Sequence, residues 1–447
     1  MIRWSPFRYI SAVYILIILF GAVLLKLPLA NRGLSFIDSL FTSTSAICVT
    51  GLIVKDTALD FTLAGKAIIL FLIQTGGMGY MAVASLFMTI FAIKPDKRQN
   101  IVVQQEFGLF SRDNTLMFLR LVVLTTFIFE MLGFIFLYLG FKDTFNVNET
   151  IVHAIFHSVS AFCNAGFSSF SDNLGSFANN PIIGLTASFL FIIGGLGFIV
   201  IIDILERLKG EKRYLTEHSR IVIFSTLILI VLGFTCVYAL EYGNILAGKE
   251  SVSKFIISFF TAATPRTAGF SLINISALLP TTLLIIVLLM FIGASPGGTG
   301  GGIKTTTFVI ISNFFTSRLK GLKSVNIEKR RIPEEQVNKA LTLFLISLIL
   351  IVTMIGILSF TERNIVNKIG ILPIIFEEVS AFGTVGLSMG SSVQPVVSLS
   401  HDFTFIGKLI IIITMLAGRI GPLTLVATVL KKKSESFQYP LAKVQIG

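Results

Sequence analysis

The chain has 447 residues, of which 54% are hydrophobic and only 13% are charged, and its formal net charge is +12. Soluble domains carry about 25% charged residues, so this chain lacks the polar side chains to cover its own surface, and lipid is its expected solvent. The three cysteines form neither a disulfide framework nor a CxxC metal site. The basic charge does not indicate a nucleic-acid partner, because most of the basic residues fall in segments predicted to lie on one side of the membrane.

The first apolar run begins at residue 10 and follows Arg3 and Arg8, which is the charge pattern of a signal peptide. No persuasive small-residue cleavage site follows and many further apolar runs do, so we predict a first membrane helix that is retained. Runs of about 20 apolar residues are long enough to cross a bilayer. Eight long runs cover residues 10–27, 65–93, 115–139, 181–204, 219–240, 280–315, 340–360 and 403–430.

Each successive pair of long runs encloses a shorter apolar segment, which is too short to cross and is expected to be re-entrant. These segments cover residues 36–47, 149–162, 252–263 and 371–382. Asn148 and Ser251 are candidate caps for the second and third segments. A similar motif ending in glycine follows every segment: Ser45-Ala-Ile-Cys-Val-Thr-Gly51, Ser160-Ala-Phe-Cys-Asn-Ala-Gly166, Ala263-Thr-Pro-Arg-Thr-Ala-Gly269 and Ser380-Ala-Phe-Gly-Thr-Val-Gly386.

The second long run of every pair also carries closely spaced glycines. They begin at Gly76, Gly194, Gly297 and Gly418. Internal repetition of this kind indicates a repeated structural unit. We therefore predict an all-α membrane protein with four tandem M1–P-loop–M2 units in a pseudo-fourfold arrangement around a central pore. The predicted units cover residues 1–93, 94–204, 205–318 and 319–447.

The distribution of charge predicts the orientation of these units. If every unit starts and ends on the same side, the segments on that side hold 25 basic and 11 acidic residues, against 11 basic and 12 acidic residues on the other side. A basic excess belongs on the cytoplasmic side of a membrane, so we place both termini in the cytoplasm of a multi-pass plasma-membrane protein.

Irregular backbone at membrane depth is tolerated only where it is buried in protein or lines a water-filled cavity. Four such loops around one axis would make a ring of backbone carbonyls, which can replace the hydration shell of a cation. The C-terminal ends of the short helices would add partial negative charge at the same place. Acidic residues on the outer side are expected to concentrate cations at the mouth. These are Asp38, Asp143, Glu149, Glu377 and Glu378.

Four M1–P–M2 units, each with one central glycine, resemble the Trk/Ktr/HKT superfamily of potassium transporters, and in particular the membrane subunits of bacterial Ktr uptake systems. The resemblance covers nearly the whole chain. It implies a potassium pathway linked to sodium, with no cofactor in this chain. It also implies a homodimer in membrane lipid and a cytosolic, nucleotide-binding regulatory ring of the RCK type, which is KtrA-like. Nucleotide would act only through that partner.

By this resemblance, the potassium selectivity filter consists of four residues from each loop. They are Cys48, Val49, Thr50 and Gly51; Cys163, Asn164, Ala165 and Gly166; Arg266, Thr267, Ala268 and Gly269; and Gly383, Thr384, Val385 and Gly386. Residues 293–304 are expected to form an intramembrane gate loop. The gate residues are Gly297, Gly298, Thr299, Gly300, Gly301, Gly302 and Lys304, together with Arg419. The alternative for this loop is a static kink, since glycine and proline bend helices.

Two enzyme motifs in residues 293–307 fail on mechanical grounds. Gly293-Ala-Ser295-Pro-Gly297 matches G-x-S-x-G, but Pro296 has no amide hydrogen for an oxyanion hole. The phosphate-binding pattern fails because Ile303 separates Gly302 from Lys304 and no strand precedes it. We predict that the chain is not an enzyme. An alternating-access carrier remains the second hypothesis, since broken helices also occur there, although carriers usually show two inverted repeats.

Three charged residues lie within segments that are expected to be in the membrane, and each needs an explanation. One hypothesis is given for Arg266 and two for each of the other residues. Arg266 lies within a loop, so its guanidinium should point away from a cation path and brace the loop. Glu130 is either a proton relay or faces a partner subunit. Arg419 either reaches the membrane surface or places a positive charge beneath the filter, where it raises the barrier for cations.

Overall fold

The computed structural model describes residues 6–79, 82, 115–210 and 212–422, and these residues are helical apart from loops and one short hairpin. The helices fall into four successive sets. The first set has α1 (Pro6–Lys26), α2 (Phe36–Ile47) and α3 (Leu63–Met78), and the second has α4 (Thr115–Phe141), α5 (Val147–Phe162), α6 (Pro181–Leu196) and α7 (Phe198–Leu208). The third set has α8 (Glu217–Glu241), α9 (Ser251–Ala263), α10 (Pro280–Phe291) and α11 (Thr305–Leu319).

A small antiparallel hairpin precedes the fourth set. Its strands are β1 (Asn326–Ile327) and β2 (Arg330–Arg331). The fourth set then has α12 (Glu334–Thr361), α13 (Arg363–Ile369), α14 (Leu372–Gly383) and α15 (Phe405–Ile420). Each set therefore contains an outer helix, a half-helix, an extended loop and an inner helix, which is the predicted unit.

The four units close into a ring through contacts between neighbours. The inner helix of each unit packs against the half-helix of the next: α3 on α5, α6 on α9, α10 on α14, and α15 on α2. The last of these contacts joins the fourth unit back to the first. This cyclic order is the predicted pseudo-fourfold arrangement, and it brings the ends of all four half-helices to one central region.

The half-helices lie where the sequence predicts them, within two residues at each end. The cap predictions are wrong, however. The side chain of Asn146, not Asn148, accepts the amide hydrogen of Glu149 at the start of α5. Ser251 is the first helical residue of α9, and the preceding Glu250 makes no side-chain capping bond. The helices α5 and α9 begin two residues and one residue before the predicted starts, because hydrophobic periodicity locates the ends of a helix poorly.

The outer helices are continuous, whereas the second and third inner helices are interrupted. Within the described residues, four helices are long and apolar enough to span a membrane, namely Arg8–Lys26, Met117–Phe141, Glu217–Glu241 and Glu334–Thr361. All four are outer helices. The inner helix of the second unit bends by 98° between Leu196 and Phe198, at Gly197, which has a φ of 96°. The apolar run 181–204 therefore forms two helices and not one, and they meet at one of the glycines that mark this run in the sequence.

The inner helices of the first and fourth units also end at left-handed glycines. These are Gly79 and Gly421, at φ 81° and 94°. The third inner helix differs, because residues 292–304 separate α10 from α11. Within the described residues, the first, second and fourth inner helices thus end or bend at a single glycine, whereas a long loop interrupts the third. The predicted unit boundary at 93/94 lies outside the described residues, and the one at 204/205 falls within α7.

Candidate functional site

The four half-helices end in turns of the same backbone conformation. In each turn, a residue with positive φ is followed two positions later by a glycine with positive φ. The first residues are Val49, Asn164, Thr267 and Thr384, at φ 55°, 58°, 68° and 49°. The glycines are Gly51, Gly166, Gly269 and Gly386, at φ 92°, 68°, 76° and 90°. Positive φ is costly for a β-branched residue such as Val49, so the turns concentrate backbone strain at one place.

The four glycines meet around a closed ring. A methyl group added to Gly51 would lie 2.6 Å from the carbonyl oxygen of Ala165 in the next loop. The same relation holds at 3.0 Å between Gly166 and Ala268, and closer still between Gly269 and Val385 and between Gly386 and Thr50. Each loop therefore directs the carbonyl before its own glycine at the glycine of the preceding loop. The ring has space for backbone alone.

Hydrogen bonds to the half-helices hold this ring in place. The amide before each glycine donates to a carbonyl near the end of its half-helix. The pairs are Thr50 to Ser45, Ala165 to Ser160 and Val385 to Ser380, each at 2.8 Å, and Ala268 to Thr264 at 2.9 Å. The hydroxyls of Ser45 and Ser380 also accept from Gly51 and Gly386, at 3.0 and 3.1 Å. Sequence reasoning did not assign these hydroxyls a role, although serine recurs six residues before three of the glycines.

The glycines that mark the inner helices permit close approach to the same turns. A methyl group on Gly76, Gly194 or Gly418 would collide with a half-helix carbonyl oxygen. The oxygens belong to Ile47, Phe162 and Phe382, which lie at or next to the ends of the half-helices. The inner helices therefore support the turns directly, because no Cβ separates the two backbones.

The first residue of each predicted filter segment has its own environment. Cys48 and Cys163 are fully buried, and the Gly77 position leaves room for the thiol of Cys163. Gly383 is packed against the carbonyl oxygen of Met290, at 2.5 Å from where its methyl would be. Cys163, Arg266 and Gly383 thus each lie beside the inner helix of the preceding unit.

The side chain of Arg266 points away from the ring, as predicted. It lines a small cavity between α6 and α8 with Ile192, Gly195 and Thr226. No acidic side chain forms an ion pair with Arg266 among the described residues, and its Nη1 is buried there without a hydrogen bond. The loop therefore contributes the backbone of Arg266 to the ring, while its guanidinium stays behind it.

Glu130 is half-buried behind the second loop, where its carboxylate contacts side chains of the first and second units. Its Oε2 accepts from Nε2 of Gln74 at 3.1 Å. The thiol of Cys163 lies 3.8 Å from Oε1 of Glu130 and 3.6 Å from Oε1 of Gln74. Both hypotheses for Glu130, a proton relay and a contact with a partner subunit, therefore stay predictions. Gln74 was missed because a single glutamine within an apolar run carries little signal.

The loop between α10 and α11 lies directly against two of the turns. Ile292 and Ile303 form a bridge that closes its base. The amide of Gly301 donates to Oγ1 of Thr384 at 2.8 Å, and a methyl group on Gly300 would collide with Thr267. Both threonines are the strained first residues of their turns. The loop is thus in contact with the third and fourth turns of the ring.

Neighbouring units hold the loop on both sides. On one side, its amides at Ser295 and Thr299 donate to Gly195 and Gly194, at 3.0 and 3.2 Å. On the other side, the amide of Gly302 donates to Gly418 at 3.2 Å. Ser295 is fully buried, and its hydroxyl accepts from Thr305 at 2.9 Å, which is a packing role and not that of a nucleophile.

Two basic side chains bind consecutive carbonyls of this loop. The guanidinium of Arg419 donates to the carbonyl oxygen of Thr299 and to that of Gly76. Nζ of Lys304 donates to the carbonyl oxygen of Gly300 at 2.6 Å. The reading in which Arg419 reaches the membrane surface is therefore wrong. Its charge instead lies between the loop and the first inner helix.

Three of the acids expected at the mouth are buried within the protein. Asp38 forms a 2.9 Å salt bridge with Lys408 on α15. Glu377 accepts from Ser388 and Ser400, and Glu378 accepts from Thr414. These three cannot concentrate cations in solvent, so that prediction is wrong for them. Asp143 and Glu149 are exposed and keep their predicted role.

Comparisons with known proteins give consistent relatives. A family model described as "TrkH: Cation transport protein" matches residues 6–439. The chain is 36% identical to Ktr system potassium uptake protein B of Bacillus subtilis, covering 100% of this chain and 98% of that protein. It is also 36% identical to potassium/sodium uptake protein NtpJ of Enterococcus hirae, with the same coverage. The solved structure of the potassium transporter TrkH from Vibrio parahaemolyticus has the same fold, with a TM-score of 0.76, 18% identity, and coverage of 96% of this chain and 86% of that chain.

Proposed function

Because the chain belongs to the TrkH family of cation transport proteins, we propose that it is the ion-conducting membrane subunit of a potassium uptake system. The names of its relatives in Bacillus subtilis and Enterococcus hirae support potassium as the transported ion. The family transports cations, so the chain is not an enzyme, as the sequence predicts. Potassium is the substrate of the pathway and not a resident cofactor.

The observation that carries the proposal is the closed ring of four glycine-containing turns. The carbonyl groups before the glycines follow one another around the ring. A dehydrated cation at the centre of such a ring would be coordinated by backbone oxygens. The half-helices end at the same place, so their dipoles favour positive charge there. The sixteen predicted filter residues form these turns. Four equivalent turns in one ring support a pore more than a carrier, whose two inverted repeats would give a two-sided site.

The loop of residues 292–304 acts as the gate beneath this filter. Its contacts with Thr267 and Thr384 place it against the ring, and Arg419 and Lys304 add positive charge at the same level. A cation leaving the ring would meet both the loop and these charges. The hydrogen bonds to the second and fourth units support a loop that is held in one position until it is released, in place of a simple kink.

The remaining parts of the proposal concern partners and coupling. The Bacillus subtilis relative is named as a protein of a Ktr system, which supports a second component. We assign that role to a cytosolic, nucleotide-binding RCK ring, with the membrane chain as a homodimer. Sodium is the co-ion, and both termini face the cytoplasm, in agreement with the basic excess on that side.

Potassium uptake in cells that lack their own uptake systems tests the proposal. Cells that express the chain with the regulatory subunit from its own genome should grow at low potassium, and sodium should increase the uptake rate. A membrane-inserted chain that supports uptake of neither potassium nor its analogue rubidium would contradict the proposed function. Potassium uptake that is independent of sodium would contradict the role of sodium as co-ion and leave the rest of the proposal unaffected.

A further inference from the structure

A basic cavity lies where the end of α11, the hairpin and the start of α12 meet. None of the four glycine-containing turns contributes a residue to its lining. Its volume is about 80 Å³. The polar groups that line it are Arg318, Lys323, Ser324, Arg331, Glu334 and Asn338. Three positive charges thus face one negative charge. Nothing in the proposed transport pathway uses this cavity.

The cations of the basic cavity are only partly neutralised. Nη1 of Arg318 donates to the carbonyl oxygens of Leu322 and Lys323, at 3.1 Å each, which fixes its orientation without cancelling its charge. Arg331 pairs with Glu334 at 3.2 Å, and exposed pairs of this kind are weak. Lys323 forms no ion pair with any residue that the structure describes. A net positive charge therefore remains for a ligand.

The hairpin that forms one wall of the basic cavity is fixed to the rest of the protein. Its turn places Glu328 and Lys329 at positive φ, 50° and 64°, which glycine or asparagine would adopt more easily. Salt bridges of 3.0 Å from Arg220 to Glu328 and of 2.9 Å from Arg330 to Glu217 attach the turn and β2 to the start of α8. Each of these pairs is exposed and weak by itself, but both attach the same hairpin, the wall of the cavity, to α8.

Exposed apolar side chains lie beside these cations. Leu319 follows Arg318 directly and is 88% exposed, and Phe315 on the same helix is 54% exposed. The cavity also adjoins the first turn of α12, which is one of the membrane-spanning candidates. Apolar side chains next to basic ones are typical of a protein surface at the membrane interface, where the apolar groups meet acyl chains and the cations meet headgroups. This pattern favours a lipid over a free anion or a soluble protein.

We propose that the basic cavity binds the phosphate of an anionic phospholipid headgroup. Lys323 and Arg331 contact the phosphate oxygens, and Ser324 and Asn338 can donate to the remaining oxygens or to a glycerol hydroxyl. The acyl chains then lie along Phe315 and Leu319. Basic pockets at the ends of membrane helices are suited to such headgroups. The site ties the third unit to the fourth through a lipid.

Native mass spectrometry of the purified, delipidated full chain with added phosphatidylglycerol tests this proposal. The variants are Lys323→Gln, Arg331→Gln and the double variant, and Lys329→Gln at the hairpin turn is the matched control outside the cavity lining. Each charge removed from the cavity should weaken phosphatidylglycerol binding about five-fold, and the control should bind like the natural chain. Phosphatidylcholine, which has no net charge, should bind weakly to all of them.

Conservative variants keep the test valid if the double variant fails to fold. Lys323→Arg and Arg331→Lys retain the charge and should retain binding. Equal phosphatidylglycerol affinity in the cavity variants and the Lys329→Gln control would overturn the proposal. Competition by inorganic phosphate at the same concentration would show that the site takes free phosphate and overturn a lipid ligand.

Discussion

The guanidinium of Arg419 donates to the carbonyl oxygen of Thr299, which joins the inner helix of the fourth unit to the loop of the third. The same guanidinium also binds Gly76 at the end of the first inner helix. One side chain thereby connects three of the four units at the level of the loop. Its planar fork permits this, since it can donate in two directions at once.

Replacing Arg419 by Gln should increase the rate of cation flux. The change removes a positive charge and at least one of two charge-assisted hydrogen bonds, each worth about 1.5–3 kcal/mol, so release of the loop should become about 10-fold more frequent. Rubidium influx into proteoliposomes measures this. Arg419→Lys is the control that keeps the charge but not the fork. Unchanged influx in a correctly inserted Gln variant would contradict the role of Arg419 as a barrier.

Replacing Gly51 by Ser should reduce the preference for potassium over sodium. The new Cβ would lie 2.6 Å from the carbonyl oxygen of Ala165 and would have to adopt a φ of 92°, so the carbonyl ring must shift. We expect the ratio of potassium to sodium uptake to fall about 10-fold, which corresponds to about 1.4 kcal/mol. Competition uptake assays measure the ratio. Gly356→Ser, at a helical glycine with open space around it, should leave the ratio unchanged.

Thr384→Val should loosen the loop without altering the volume of the turn. It removes the oxygen that accepts the amide hydrogen of Gly301 at 2.8 Å. A lost buried hydrogen bond costs about 1 kcal/mol, so flux should rise about five-fold if the loop restrains it. Thr342→Val on α12 is the matched control, because that hydroxyl binds only the carbonyl of Asn338 in its own helix. A static kink predicts equal flux in both variants.

Arg266→Met should preserve potassium selectivity. The ring uses the backbone at this position, and the buried guanidinium has no acidic partner among the described residues. An apolar side chain of similar volume is often neutral or stabilising where a charge is buried, by about 1–4 kcal/mol. Thermal unfolding and uptake assays measure both effects, with exposed Arg363→Met as the control. A loss of selectivity in a stable Arg266→Met protein would mean that the guanidinium itself acts on the ion.

Asp38→Asn should destabilise the protein substantially. It leaves the partly buried ammonium of Lys408 beside α2 without its partner at 2.9 Å; breaking a fully buried pair costs about 3–5 kcal/mol, so the loss here should approach the lower end of that range. The double variant with Lys408→Met should recover much of that loss, which chemical denaturation can measure. Glu334→Gln breaks an exposed pair and should cost less than about 1 kcal/mol. Equal losses for the two single variants would mean that the Asp38 pair is solvated.

The sequence by itself determined the repeated unit. Apolar run lengths and the recurring glycines predicted the four half-helices, because membrane thickness and the need to satisfy the backbone restrict each segment to few forms. The positions of Gly51, Gly166, Gly269 and Gly386 marked the turns, since positive φ in a repeated motif strongly favours glycine. The long break at residues 293–304 was also evident from composition.

Only the tertiary structure decided which units are neighbours and what the charged side chains contact. The partners of Arg419 at Thr299 and Gly76 are 120 and 343 residues away along the chain, and no local pattern encodes such distances. The same holds for Asp38, which looked like an acid at the mouth but pairs with Lys408, 370 residues later. Closing the ring brings α15 onto α2, and this packing buries charges that the sequence alone would assign to solvent.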